Sequence, residues 1–599
     1  MVNFTHRVFY ECATHVGLGE VVFCVAIGSN MIKNRLSMIR GNLHAAVCKC
    51  PYFVFPAFIG AAIFLLVYGF VPLDVTYDHW ILNGYVENDI VQHYAGWVNF
   101  RNSDWAFPLG NANLLMYPIG EVISFTDSIP IVSIFFKSIR FMLPETFQFF
   151  GIYVFLCFVL QGISSAMLVH EFTDSKVKIA LSSAVFCLSP IMMERAFRHT
   201  ALASHFLILF ALYLYFHARN NGHKFQFGYI ILHVLAIGIH PYFLPIIFGI
   251  MCAHLLDMLI AGSNRIKLLG KILGFITINI AATAAFGYII GAIGGESEFS
   301  AEGYGYYCMN LNAIINPYSL GGYNWSRFTK VHGQTLGNFD GFNYLGFGVI
   351  IFLFAVMVAC IFRIRKCTNW IKRNVGIIVA CIIFTLFAIS NVVTLNGKIL
   401  FDISLPKKLY GLFSIFRSGG RMFYPVNYLL VLFVIKSLVD GKLIRLKYHA
   451  QVLLAVLFAI QLIDLSSVMY YKHKEFDKDV IEEAYEHNIL NNEQLYRLGK
   501  EHKYIKFLDY EAAIVRQMAV FVGQHELEGA NITIGSRKTD YNIYDEIYLA
   551  LLDVVEGKID DDTIYVVADY EIVEAIMPKF TEDFKVYEAD NLYVIARCP

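Results

Sequence analysis

Charge is scarce in this chain. Asp, Glu, Lys and Arg make up 16% of its 599 residues, where a soluble domain carries about a quarter. That scarcity excludes an ordinary water-soluble fold, because 57% of the residues are hydrophobic and the mean hydropathy is +0.54. No basic run is long enough to track a phosphate backbone, which excludes nucleic acid as a partner. Cysteines at metal-type spacing are also missing. Cys157, Cys187, Cys252, Cys360 and Cys381 fall in apolar runs and read as small core residues. Cys308 and Cys598 face the outside and leave a disulfide open. The apolar stretch 16–32 is interrupted by Glu20, with no small-residue cleavage signal after it, so residues 1–51 read as a cytoplasmic or interfacial lead-in. No internal repeat is found.

What is present is a series of long apolar runs. They fall near 52–70, 149–169, 178–190, 201–217, 227–240, 242–260, 270–293, 345–362, 375–391, 424–439 and 450–471. They predict a mainly α, polytopic membrane protein of about 11 transmembrane helices. Every second connection is short and basic: Lys176 and Lys178; Arg219 and Lys224; Arg265, Lys267 and Lys271; Arg363, Arg365, Lys366, Lys372 and Arg373; Lys442, Arg445 and Lys447. The positive-inside rule places these in the cytoplasm with the N-terminus and its Lys33, Arg35, Arg40 and Lys49. Loops 71–148, 191–200, 294–344 and 392–423 and the tail after 471 then face the outside. The expected organisation is a lead-in 1–51, a transmembrane domain 52–471 with outer loop 71–148, and an extracytoplasmic α/β domain 472–599. In the last, strands near 504–508, 531–535, 563–568, 584–587 and 592–597 accompany helices 510–524 and 544–556. Nothing in that tail has the form of a catalytic motif.

The first outer loop concentrates the polar chemistry, and a connector of that length is usually functional. In ENDIVQHYAGW, Asp89, Gln92 and His93 lie at i, i+3 and i+4 on one helical face, with Trp97 on an adjacent one. A carboxylate beside an amide and an imidazole, walled by aromatics, suits general-base work on a hydroxyl. The plain alternative is a surface helix capped by Asp89. Asp78 in TYDHW is the second candidate base. Asp127 in SFTDSIP reads first as the N-cap of a helix from Ile129, with Pro130 early in it, and otherwise as a ligand contact.

Beyond that loop, SPIMMERAFRHTALASHFLI sets Arg195, Arg198 and His199 along one helical edge, with Glu194 as a counter-ion. Charges at a membrane edge are retained where they meet an anion, and guanidinium grips phosphate oxygens in pairs. FRSGGRMFYPVNYLL adds Arg417 and Arg421 around Ser418-Gly419-Gly420, whose backbone can approach an anion closely. For both segments an internal ion pair or interfacial anchor is the alternative. His240 in HPYFLP can line the same cavity, and Trp97, Trp105 and Trp325 can stack on sugar faces.

Taken together, GYVENDIVQHYAGWVNFRNSDWAFPLG, FTDSIPIVSIFFK, PIMMERAFRHTALASHFLILFALYLYF, HPYFL, GFNYLG and FRSGGRMFYPVNYLL resemble a bacterial family of multi-pass membrane proteins of unassigned function. The resemblance runs from about residue 52 onward, tail included. That family is similar in turn to the GT-C superfamily of glycosyltransferases, which use polyprenyl-phosphate sugars at the outer membrane surface. The resemblance implies a GT-C-like fold, a polyprenyl-phosphate-linked sugar donor, a glycan or lipid acceptor, and a location among the lipids of the bacterial inner membrane. It also implies an essential carboxylate in the first outer loop, Asp89 first and Asp78 second. Donor and substrate contacts would come from Gln92, His93, Trp97, Asp127, Arg195, Arg198, His199, His240, Arg417 and Arg421. The loop has no clean Asp-Asp pair, so no metal site and no cofactor are predicted, and a divalent metal is left open. The alternatives are a lipid or glycan transporter, which would carry paired repeats and midplane charges, and a non-catalytic scaffold for envelope assembly.

Overall fold

In lipid a backbone has only itself to hydrogen-bond with, so apolar runs of sufficient length become helices. The computed structural model describes residues 52–82, 88–294, 303–318, 323–363, 374–440, 449–535, 542–589 and 592–597. Among these, six helices are long and apolar enough to cross a membrane: Phe150–His170, Thr200–Asn220, Phe243–Ala261, Arg265–Ile289, Gly419–Asp440 and Ala450–Lys474. Shorter apolar helices span Tyr52–Tyr68, Gly228–Ile239, Phe347–Ile361 and Val375–Ile389. The chain is mainly helical, and these helices mark it as membrane-embedded. Pro56–Pro599 forms one unit; Met1–Phe55 forms another, of which 52–55 are described. The lead-in 1–51 with Lys33, Arg35, Arg40 and Lys49 lies outside the described residues, as do Arg365, Lys366, Lys372, Arg373, Lys442, Arg445, Lys447 and Cys598. Cys308 is a buried free thiol facing the Asn338 amide.

The bundle is knitted by apolar faces and by a few buried polar contacts. Phe150–His170 packs on Lys176–Cys187 and on Phe206–Asn220, and Phe243–Ala261 packs on Val375–Ile389. Inside, Gln161 donates to the Tyr428 hydroxyl, which lies 2.8 Å from His205. Tyr215 donates to Asp257 at 2.5 Å, and the Gly376 amide donates to the other oxygen of that carboxylate. Polar groups in an apolar bundle persist when each finds a partner, and they then fix which helices face each other. At one end Tyr68, Trp80, Phe197 and Phe476 form a knot of rings with centroids 5.0–5.9 Å apart. This knot seats the long first loop on the bundle.

That loop is largely ordered secondary structure. It contains the helix Asn88–Asn102, the antiparallel pair β1 (Asn111–Ala112) and β2 (Glu121–Val122), and the helix Pro130–Ser138. A second antiparallel pair, β3 (Val392–Leu395) and β4 (Lys398–Asp402), follows later in the chain. Beyond the last long helix comes a five-stranded sheet of β5 (Tyr504–Phe507), β6 (Gly529–Ala530), β7 (Thr563–Val567), β8 (Phe584–Ala589) and β9 (Leu592–Arg597). Its order is β6-β5-β7-β9-β8, with β5 parallel to β6 and β7, and β9 antiparallel to β7 and β8. The apolar run TIYVV of β7 is buried along its whole length, as a central strand covered on both faces requires.

The strand expected at 531–535 does not form. Asn531 turns its side-chain amide onto the backbone N–H and C=O of Phe507, at 2.8 and 3.0 Å, and β6 stops at Ala530. The next residues bind the first loop instead. Met116 N–H donates to Ile532 O, Tyr117 N–H to Ala530 O, and Ala530 N–H to Leu114 O, at 2.8–3.0 Å. The loop thus covers a sheet edge that would otherwise be open to pairing. A second joint lies along the helix Ala512–Gln524, where Asn99 and Asn102 donate to the carbonyls of Ala519 and Gly523 at 2.6 and 2.7 Å.

Glu121 closes this joint. Its buried carboxylate accepts from the Thr533 hydroxyl at 2.8 Å and from the Ile534 amide at 3.3 Å. Burial pushes its pKa up to about 7 despite those donors. The folded state therefore binds a proton there that the unfolded chain has released, so the contribution weakens as pH rises from the ordinary glutamate range through 7. Thermal unfolding of wild type and Glu121→Gln should show the variant gaining relative to wild type between pH 5 and pH 8. A difference that stays flat with pH would refute this.

Candidate functional site

The site is built where the helix Asn88–Asn102 meets the turn 126–129. Ser128 donates to His93 O at 2.7 Å, and Thr126 and Ser128 share a hydrogen bond of 2.7 Å. Between these anchors Asp127 sits at φ 57° and Ile129 at φ 54°. Left-handed backbone at a non-glycine residue, and especially at a β-branched one, costs about 1–3 kcal/mol and persists only where the surroundings enforce it. The enforcement is tight. A Cβ on Gly96 would collide with Thr126 Oγ1 and Ser128 Oγ. Gly96→Ala should therefore displace the turn and lower stability by about 1–3 kcal/mol. Thermal unfolding identical to wild type would mean that the turn yields without strain.

This turn corrects the capping assignment. The helix Pro130–Ser138 has Ile129 at its N-cap with no side-chain cap, and the Asp127 carboxylate faces two imidazoles. His240 Nε2 lies 3.4 Å from one oxygen, and His93 Nε2 lies 4.0 Å from the other. The Tyr242 amide donates to His240 Nδ1 at 3.2 Å, which leaves the proton of the neutral ring on Nε2, pointing at Asp127. Asp89, one turn before His93, contacts His199 Nδ1 at 3.3 Å and Arg516 Nη1 at 3.3 Å. Arg516 comes from the helix Ala512–Gln524 of the C-terminal sheet region.

A second layer lies behind. Asp340 receives Arg195 Nη1 at 2.7 Å and Arg421 Nη2 at 3.0 Å, and Arg195 also donates to the Tyr424 hydroxyl and to Asp340 O. The backbones of Gly341 and Gly420 touch so closely that a Cβ on Gly420 would overlap Gly341. Gly420 therefore serves this internal contact. Arg421 stacks 4.7 Å over the Tyr242 ring, whose hydroxyl accepts from the Ser418 amide. Arg417 is exposed and lies 5.5 Å over Tyr307.

These groups interact electrically. Burial raises the Asp127 carboxyl to about 6, with Arg421 and Arg417 opposing and Asp89 adding to the shift. Burial pushes His93 down to about 4. Burial, with Arg421 and Arg195 nearby, holds His199 and His240 well below the ordinary imidazole range, so all three rings are neutral at pH 7. Burial alone would raise Asp340, but Arg421 and Arg195 outweigh it and hold it well below the usual carboxylate range. Four guanidiniums and three carboxylates thus meet around neutral imidazoles. The Asp89 and Asp127 side chains keep 34% and 33% of their surface accessible, so a ligand can reach both.

Other expected residues stand elsewhere. Asp78 is buried and accepts from the Tyr94 hydroxyl at 2.7 Å. Arg198 closes on Glu194, its partner one turn back, near the Phe339 ring. Arg195, Arg198 and His199 therefore turn to three different carboxylates, because the helix Pro190–Arg195 ends before the last two. Trp97 has no accessible surface and donates to Phe147 O at 2.8 Å, and Trp325 is equally buried, which corrects their role as sugar platforms. Trp105 lies against the ammonium of Lys137 at 4.7 Å. Gln92 is half-buried on the site helix. Asp340 and Arg516 were not expected. The first lies in a glycine-rich stretch that reads as loop, and the second in a tail without a motif. Among the described residues no three His, Cys, Asp or Glu side chains form a metal-binding group.

The fold and site together define a membrane-embedded helical protein with a cluster of ion-paired and imidazole side chains against its first loop. Residues 57–466 match a family model described as a domain of unknown function, DUF6311, and the chain belongs to that family. The match takes in Asp89, Asp127, Arg195, His199, His240, Asp340 and Arg421 and stops before Arg516 and the C-terminal sheet region. No curated protein matches the chain.

Proposed function

We propose that this protein is a membrane glycosyltransferase that moves a sugar from a polyprenyl-phosphate donor to a glycan or lipid acceptor. One observation carries the reading: two reachable carboxylates of the first loop, one with its pKa near 6, stand beside several guanidiniums. A base for a hydroxyl and cations for a departing phosphate are what the transfer needs. The acceptor oxygen attacks the anomeric carbon, the bond from that carbon to the phosphate oxygen breaks, and the acceptor proton passes to a carboxylate. Asp127 is the better base, because burial raises its pKa to about 6 and it faces imidazoles rather than an arginine. Asp89 orients His199 and Arg516, and Arg417, Arg421 and Arg516 supply positive charge for the lipid phosphate.

In this reading the protein lies in the bacterial cytoplasmic membrane. The six long helices, the four shorter ones and Lys176–Cys187 act as eleven crossings. Short basic connections face the cytoplasm, and the site and C-terminal domain face the exterior. Mass spectrometry of envelope glycans and of the polyprenyl-phosphate-sugar pool tests it. Cells lacking the protein should lose one glycan modification and accumulate donor. An unchanged glycan profile and donor pool would refute it.

A further inference from the structure

A cavity of 270 Å³ lies in the C-terminal domain, between β5, the starts of β6 and β7, the helix Ile543–Val555, and the ring of Tyr117 from the first loop. We infer that this cavity is a binding site for a neutral saccharide, about the size of a mono- or disaccharide. The inference goes beyond the transferase reading and does not depend on it.

The lining selects that chemistry. Tyr117 and Tyr504 set their rings 5.7 Å apart at 54°, giving an angled aromatic wall suited to the apolar face of a sugar ring. Tyr504 is held in place by the bond from its hydroxyl to Glu528 at 2.7 Å. Glu546, Asp553 and Asp560 supply acceptors for sugar hydroxyls. Two of these carboxylates already have ammonium partners, Asp560 with Lys506 at 3.3 Å and Asp553 with Lys558 at 3.2 Å. A cationic ligand would compete with those lysines, and a phosphate would face carboxylates, so an uncharged polyhydroxyl ligand fits best.

The site is also composite. Tyr117 is carried in by the loop whose backbone bonds to Ala530 and Ile532 at the sheet edge. The ring rests directly on Gly529, where a Cβ would overlap it. A saccharide held here is therefore gripped by the first loop and the C-terminal domain together.

The test is saturation-transfer NMR on the detergent-solubilised full chain with methyl β-glucoside, N-acetylglucosamine and maltose, and with glucose 6-phosphate and spermidine as charged probes. At least one neutral sugar should bind saturably and more tightly than either charged probe. Tyr117→Ala and Glu546→Gln, both partly exposed side chains, should each weaken it about fivefold or more. Absence of sugar binding, preference for spermidine or the phosphorylated sugar, or wild-type affinity in both cavity variants would overturn the inference.

Discussion

An Asp127→Asn chain should transfer sugar about two to four orders of magnitude more slowly than wild type, the usual loss when a general base is removed. The amide keeps the size of the carboxyl and can still meet His240, so the turn and the fold should survive. The pH dependence follows from burial. The neutral carboxyl is favoured in its enclosed position, and Asp127 therefore gains its proton near pH 6 rather than in the ordinary carboxylate range. The base is the ionised form, present above that value. The wild-type kcat/KM should fall about tenfold per pH unit below about 6. Asp89 is among the groups that raise the Asp127 pKa, so Asp89→Asn should move this acid limb to lower pH while reducing the rate less. A pH–rate profile of the three proteins decides the matter. If Asp89→Asn abolishes transfer while Asp127→Asn keeps the wild-type profile, the two carboxylates exchange roles.

Removing Asp340 should destabilise the fold. Its carboxylate lies between Arg195 and Arg421 with 3% of its surface accessible. Asp340→Asn leaves two guanidiniums facing each other in a desolvated space, although Arg195 keeps the Tyr424 hydroxyl and the Asp340 carbonyl. Breaking a buried ion pair from one side costs about 3–5 kcal/mol. Because the folded pKa of Asp340 lies well below 3.8, the contribution is fully present above the unfolded value and is lost only as pH falls through the folded one. The deficit should therefore be constant between pH 5 and pH 8, unlike that at Glu121. Thermal unfolding in detergent measures it. A variant as stable as wild type would show that Asp340 is not the counter-ion of both arginines. Exchanging all three residues for apolar ones of similar shape should restore much of the loss.

Much of this architecture was legible in the residues. The long apolar runs became helices because lipid leaves a backbone no other way to satisfy itself, and Thr563–Val567 became a buried central strand because Ile564–Val567 is a run of hydrophobic residues. Asp89, Asp127, Arg195, His199, His240, Arg417 and Arg421 stood out because charge and imidazole are conspicuous at the ends of apolar runs. Their pairings were not legible. Asp127 resembled a cap because Asp followed by Ser-Ile-Pro is a cap pattern locally. The left-handed turn that redirects it depends on Gly96 and on Ser128 reaching His93 O, contacts made across the fold. Arg198 looked equal to Arg195 until the helix ended between them.

The amino-acid order by itself determined which segments form long apolar helices, which carry charge, and that a sheet-bearing region follows, since these rest on local composition and on periods of two or 3.6 residues. The tertiary structure alone decided which charges meet. Asp340 reaches Arg195 and Arg421 because two glycine backbones touch, and Arg516 reaches Asp89 because asparagines of one helix bind the carbonyls of another. Coulomb energy depends on distance and on the exclusion of water, and both are set by contacts between segments hundreds of residues apart in the chain.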